Sequence, residues 1–178
     1  MEAAELPPLL IFAAKKIQGR TAIQKLGYFT SIILRVDLGY VPHYYGPYSP
    51  LLASYLQNLV GSDYVDESGR QTALDRVIYS YSMTDDGSAL AKQLQDRYGA
   101  EFSIIKQIVE KCQEIAGTNV NVLSWAAKVH YILSQEKRPI TFDKAIAIAD
   151  TFGWKLSESE VQSAVKLLAA LSLATESN

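Results

Sequence analysis

Four tyrosines and a histidine fall between positions 40 and 48: Tyr40, His43, Tyr44, Tyr45 and Tyr48. Phenol and imidazole rings join a large apolar face to one polar handle, which is the chemistry of a contact surface rather than of bond breaking. Two arrangements are open to such a cluster. Two or three of the rings can wedge their loop against the core and satisfy backbone groups. If two or more are exposed together, Tyr44, Tyr45 and Tyr48 become a site for a protein partner or a small ligand.

A second set of polar groups follows. The segment Ser49 to Val60 places Leu52, Tyr55, Leu56 and Leu59 at i, i+3, i+4 and i+7, so it reads as a helix with that face buried. Ala53, Ser54, Gln57 and Asn58 then face outward. Ser54, Gln57 and Asn58 carry groups that can hydrogen-bond base edges. Phosphate contacts need Lys or Arg, and residues 49–60 contain neither. The basic residues gather earlier, at Lys15, Lys16, Arg20, Lys25 and Arg35. Five basic against three acidic residues give positions 1–60 a charge of +2. Of these, Lys15, Lys16 and Arg20 are the candidate phosphate contacts, against the alternative of a solvated helix face. Residues 61–84 hold Arg70 and Arg76 against Asp63, Asp66, Glu67 and Asp75, a net of −2 that repels phosphate.

Enzymatic chemistry has little to stand on. The two histidines, His43 and His130, lie in different elements, and the second sits among core positions. No paired-cysteine zinc motif, zincin helix, nucleophile elbow, phosphate-binding loop or dinucleotide glycine pattern occurs. Asp85-Asp86 fits a helix N-terminus, where the dipole alone accounts for carboxylates. Cys112 lies in an apolar helical stripe and reads as packing. No catalytic residue, metal or cofactor is therefore expected.

The elements that must position these groups can be read in order. Leu9 to Ile17 is a first helix, with Pro7 and Pro8 at its start and Gly19 after it. Thr21 opens a second helix, with Gln24 completing a capping box, and Asp37-Leu-Gly39 ends it. Ser49 caps the next helix, Pro50 takes its first position, and Gly61 is the expected left-handed stop. Tyr64-Val-Asp66 and Val77 to Met83 read as strands around a polar tip, Glu67 to Thr72. Val77, Tyr79, Tyr81 and Met83 share one face. Thr84-Asp-Asp-Gly87 opens a helix reaching Tyr98-Gly99, and Glu101 to Ala116 is another. After the turn Gly117 to Asn121 come helices over 122–135, 141–151 and 157–171, with Thr141 and the Ser157-Glu160 capping box at two of their starts. Gly153 stops the second of these three, and the tail frays from Thr175. The order helix, helix, helix, strand, strand, helix predicts a mostly α protein with a small β-hairpin: a winged helix-turn-helix core over 1–117 and a C-terminal helical extension over 118–174.

Two stretches carry a family resemblance. Tyr81-Ser-Met-Thr-Asp-Asp-Gly87 is similar to the close of the second wing strand in many winged-helix regulators, where Thr caps the next helix, Gly permits a tight exit and Tyr packs under the wing. Tyr45-Gly-Pro-Tyr-Ser49, ahead of a Leu-rich helix, resembles the prokaryotic YwgA-like proteins and, more distantly, the Panacea-type antitoxin domain. Lys25-Leu-Gly-Tyr28 and Val129-His-Tyr-Ile-Leu133 fit the first of these. The resemblance spans roughly residues 15–135. It implies fold more than activity, because YwgA-like proteins are largely of unknown function. The antitoxin likeness implies neutralising a partner toxin.

The bulk properties agree with a globular chain. A composition 48% hydrophobic and 20% charged buries a core readily, and the net charge of −2 leaves no overall basic footprint for nucleic acid. The start of the chain has acidic flanks and two prolines, unlike a signal peptide, and no apolar run reaches membrane-spanning length. A cytoplasmic, prokaryotic, non-enzymatic protein is expected, with DNA or a protein as partner. The Ala-rich pair of helices around Gly153-Trp154 is a candidate homodimer interface or a lid on the core.

Overall fold

The computed structural model describes residues 1–71, 77–117, 119–136 and 138–175. The chain is mostly helical, with eight helices and one three-stranded antiparallel sheet among the described residues. It divides into two compact units: Met1–Gly39 with Ser49–Glu110, and Tyr40–Tyr48 with Lys111–Asn178.

The first unit is built on α1 (Leu6–Ala14), the most thoroughly buried of its helices. Leu6, Leu9, Leu10 and Ile11 are fully inaccessible, each contributing about 1.5–3 kcal/mol of apolar burial. Pro7 and Pro8 sit in its first turn, where absent N–H groups cost little. The helix ends at Ala14, before the expected Ile17. Lys16–Gln18 forms a short strand, β1, with only Ile17 turned inward. Then come α2 (Arg20–Leu34), α3 (Pro50–Gly61), β2 (Val65–Gln71), β3 (Val77–Met83) and α4 (Asp85–Arg97). The sheet order is β1-β3-β2, with Ile17 opposite Tyr81 and Glu67 opposite Tyr81 on its other side. The hairpin tip expected at 67–72 is strand as far as Gln71, and residues 72–76 lie outside the described residues. Helix α5 (Gly99–Ala116) follows.

Several helix ends differ from the sequence reading. Gln24 does not cap α2; its side chain is used elsewhere. Arg35, in the left-handed region, closes α2, with Val36 N–H on Ser31 O and Arg35 N–H on Ile32 O. Gly61 remains helical, and Asp63 (φ 57°) takes the left-handed position after α3. Tyr64 N–H reaches Leu59 O and Asp63 N–H reaches Val60 O, the doubled bond pattern that satisfies orphan carbonyls at a helix end.

The start of α4 is fastened to the end of α3. Thr84 Oγ1 accepts from Gly87 N–H (3.0 Å) as a cap and donates to Asp63 O (2.7 Å), while Thr84 N–H donates to Tyr64 O (3.1 Å). That carbonyl lies so close to Gly87 that a Cβ there would stand 1.9 Å from the Tyr64 oxygen. Close backbone approach, rather than a turn, is what requires glycine in the Tyr81–Gly87 stretch. Tyr81 is fully buried, as expected of a ring under the hairpin.

The second unit holds α6 (Val120–Glu136), α7 (Phe142–Thr151) and α8 (Glu158–Ala170), which pack on one another. Thr141 and Ser157 cap α7 and α8, the latter with a reciprocal Ser157–Glu160 box. Ala145, Ala149 and Ala164 are buried within the chain, letting the helices approach closely. Gly153 (φ 71°) closes α7 with Trp154 N–H on Ala149 O and Gly153 N–H on Asp150 O. Of the tail expected to fray, residues 176–178 lie outside the described residues. No described helix is long and apolar enough to cross a membrane.

Candidate functional site

The aromatic segment is a small hairpin belonging to the second unit. Its neck is an antiparallel bridge: Val41 N–H donates to Tyr48 O (3.0 Å) and Tyr48 N–H to Val41 O (2.9 Å). Its tip is a four-residue turn closed by Gly46 N–H on His43 O (2.9 Å). Tyr44 and Tyr45 are therefore the two central residues of that turn, and both rings are exposed, at 72% and 60%. They meet edge to face, with centroids 4.9 Å apart and planes at 89°. Tyr48 behaves differently. It is half-buried, with its ring 5.2 Å from that of His43. The structure thus brings Tyr44 and Tyr45 together at the surface and draws Tyr48 back towards the neck.

The second unit anchors this hairpin from 111 residues away. Trp154 Nε1–H donates to His43 O at 2.7 Å, so one carbonyl oxygen accepts both the turn's closing bond and the indole's. Trp154 is itself buried. It stacks on Phe152 (4.8 Å, 23°) and meets Tyr131 edge-on (5.9 Å), with Lys128 Nζ 5.9 Å from its ring centre. The C-terminal geometry of α7 places Trp154 in this nest. Burial pushes the Lys128 ammonium down from its ordinary value, although Glu160 opposes the shift.

Next to the hairpin in sequence, every polar atom of Ser49 is engaged. Ser49 Oγ accepts from Leu52 N–H (2.8 Å), the cap of α3, and donates to Leu38 O. Its backbone N–H donates to Gln24 Oε1 (2.9 Å), and its carbonyl accepts from Gln24 Nε2 (3.0 Å). Gln24, read from sequence as a cap, is instead a buried amide on α2 that fixes where α3 begins. Nothing local marks this, because its partner lies 25 residues away.

On α3, Leu52 and Leu56 are buried while Tyr55 and Leu59 are half-buried. Ser54, Gln57 and Asn58 are exposed, as their spacing predicts, and belong to the first unit.

Of the basic residues that gather early in the sequence, Lys15, Lys16 and Arg20 are exposed and Lys25 is not. Lys15 and Lys16 are exposed at the junction of α1 and β1. Lys25, by contrast, is fully buried, so its charge is not offered to a phosphate. Arg20 is engaged with the β2–β3 hairpin. Its Nε donates to Tyr81 Oη (3.2 Å), its guanidinium lies 4.0 Å over the Tyr79 ring, and its Nη2 stands 3.6 Å from Glu67. Burial first, and then the hydrogen bond to Glu67, push the Tyr81 phenol up to about 12. This cluster ties the start of α2 to the sheet, while the Arg20 side chain stays largely exposed. Of the hairpin charges counted from sequence, Asp75 and Arg76 lie outside the described residues.

His130 is buried, which pushes its imidazole down from the ordinary value. Cys112 is buried as well, and desolvation pushes its thiol up to about 12, far from a reactive thiolate. Among the described residues no group of three or more His, Cys, Asp or Glu side chains stands close enough together to hold a metal ion. No protein-family model matches this chain, and no curated protein matches its sequence.

Proposed function

We propose that this is a non-enzymatic protein-interaction module whose contact site is the Tyr44–Tyr45 turn. The observation that carries the reading is the joint exposure of the two rings, 72% and 60%, on a hairpin held by backbone bonds. Adjacent, ordered tyrosines bury large area at low entropic cost and are enriched at protein contacts. Residues 41–48 carry no formal charge at neutral pH, which suits an apolar, hydrogen-bonding partner surface. The resemblance to the Panacea-type antitoxin domain points the same way, towards a protein partner. We further read the order α1-β1-α2-α3-β2-β3, with sheet order β1-β3-β2, as a winged-helix arrangement in a cytoplasmic, prokaryotic protein.

Duplex DNA is the second reading, favoured by that element order and by the exposed Ser54, Gln57 and Asn58 on α3. Weighing against it, α3 has no Lys or Arg, and Arg20 is engaged by Glu67 and Tyr81. The two readings separate in a salt titration of random duplex DNA by fluorescence anisotropy. The interaction-module reading predicts no binding at about 50 mM salt at protein concentrations of about 10 μM, where nonspecific DNA binders are saturating. Binding that weakens steeply with salt, and weakens further in Gln57→Ala/Asn58→Ala, would transfer the function to α3.

A further inference from the structure

We infer that Trp154 is the positioning residue of the tyrosine turn, and that its indole N–H sets the orientation in which Tyr44 and Tyr45 are presented. The inference deepens the interaction-module reading and rests on it for its functional meaning. Its structural content stands on three observations. First, the acceptor of the turn's closing bond, His43 O, is also the acceptor of Trp154 Nε1–H, at 2.9 and 2.7 Å. The two tyrosines lie between the residues joined by that closing bond, so displacing this carbonyl moves both rings. Second, Trp154 is rigidly seated. It is 1% exposed, stacked on Phe152 and edge-on to Tyr131, and its backbone N–H closes α7 on Ala149 O. Third, the neck of the hairpin has its own pair of backbone bonds between Val41 and Tyr48. Tip and neck are thus held by different groups, and the tip can loosen while the neck stays closed.

Pre-ordering the tip removes an entropic cost that a partner would otherwise meet on binding. By linkage, an occupant that favours the anchored tip must in turn protect the indole N–H. Trp154 acts through the His43 carbonyl and needs no contact with the partner.

The test is hydrogen exchange on the full chain by NMR, with no partner present, so it succeeds or fails independently of the interaction-module reading. Trp154→Phe keeps an aromatic ring in the nest and removes the N–H. The expected result is exchange at Gly46 N–H about fivefold faster or more, the scale of one lost hydrogen bond, with Val41 and Tyr48 N–H changing less. Trp125→Phe makes the same replacement outside the nest and is expected to leave Gly46 near its original rate. In the unsubstituted chain, the Trp154 indole proton should exchange more slowly than that of Trp125, which is half-buried. Equal acceleration of Gly46 in both variants, or none in Trp154→Phe, would overturn the inference.

Discussion

Gly87→Ala is a severe perturbation for one added methyl group. An alanine Cβ at this position would lie 1.9 Å from Tyr64 O, 2.8 Å from Tyr64 C and 3.0 Å from Met83 Cε. The nearest two atoms are backbone, so no side-chain rotation relieves the clash. Tyr64 O also accepts from Thr84 N–H, and Tyr64 N–H closes α3 on Leu59 O. Pushing this peptide away therefore strains the end of α3, the start of β2 and the cap of α4 together. Overpacking of this kind costs about 3 kcal/mol or more. The better helix propensity of alanine returns about 0.5–1 kcal/mol. The net expectation is a loss of about 2–3 kcal/mol, read as a fall in denaturant midpoint and a drop in Tm of roughly 4–12 °C. Urea unfolding followed by circular dichroism measures it. An unchanged or raised stability would mean that propensity alone governs the site, and would refute the packing of Tyr64 against Gly87.

Other outcomes follow from the same structure. Gln24→Leu leaves the buried Ser49 N–H without its acceptor, while Ser49 O keeps its bond from Ala53 N–H, and is expected to cost about 1–3 kcal/mol in thermal melts. Tyr81 has its folded pKa raised to about 12 from 10.0, so its contribution is intact below pH 10 and is lost as pH rises towards 12. The alkaline decline in stability should be smaller in Tyr81→Phe. Cys112, with its thiol pushed up to about 12, should react with a disulfide reagent at pH 8 only on unfolding, and prompt labelling of native protein would contradict its burial.

Features fixed by neighbours in sequence were legible beforehand, and features fixed across the chain were not. Ser49, Thr84, Thr141 and Ser157 cap helices as read, and Gly153 ends α7, because a cap is decided within about four residues. Strand β1 escaped notice because three residues with one inward side chain look like the last turn of the helix before them. Gln24 satisfied a local motif yet spends its amide on Ser49, and Lys25 counted as surface charge until the fold enclosed it. Arg35 and Asp63 take the left-handed positions expected of Gly39 and Gly61: α2 stops short of Gly39, and Gly61 is the last helical residue of α3. At the candidate site, the tyrosine cluster stood out at once. Which two rings would be exposed depends on the Val41–Tyr48 neck and on an indole 111 residues away, which no local pattern encodes.

Contact between the Tyr44–Tyr45 turn and a protein can be tested in the cell. Site-specific photo-crosslinking addresses it directly, with p-benzoylphenylalanine placed at Tyr45 and separately at Gln57, in cells of the organism that encodes the chain. A discrete protein adduct is expected from position 45, disappearing when Tyr44→Ser is added, and none from position 57. Adducts from position 57 alone, or the absence of any adduct at position 45, would contradict it.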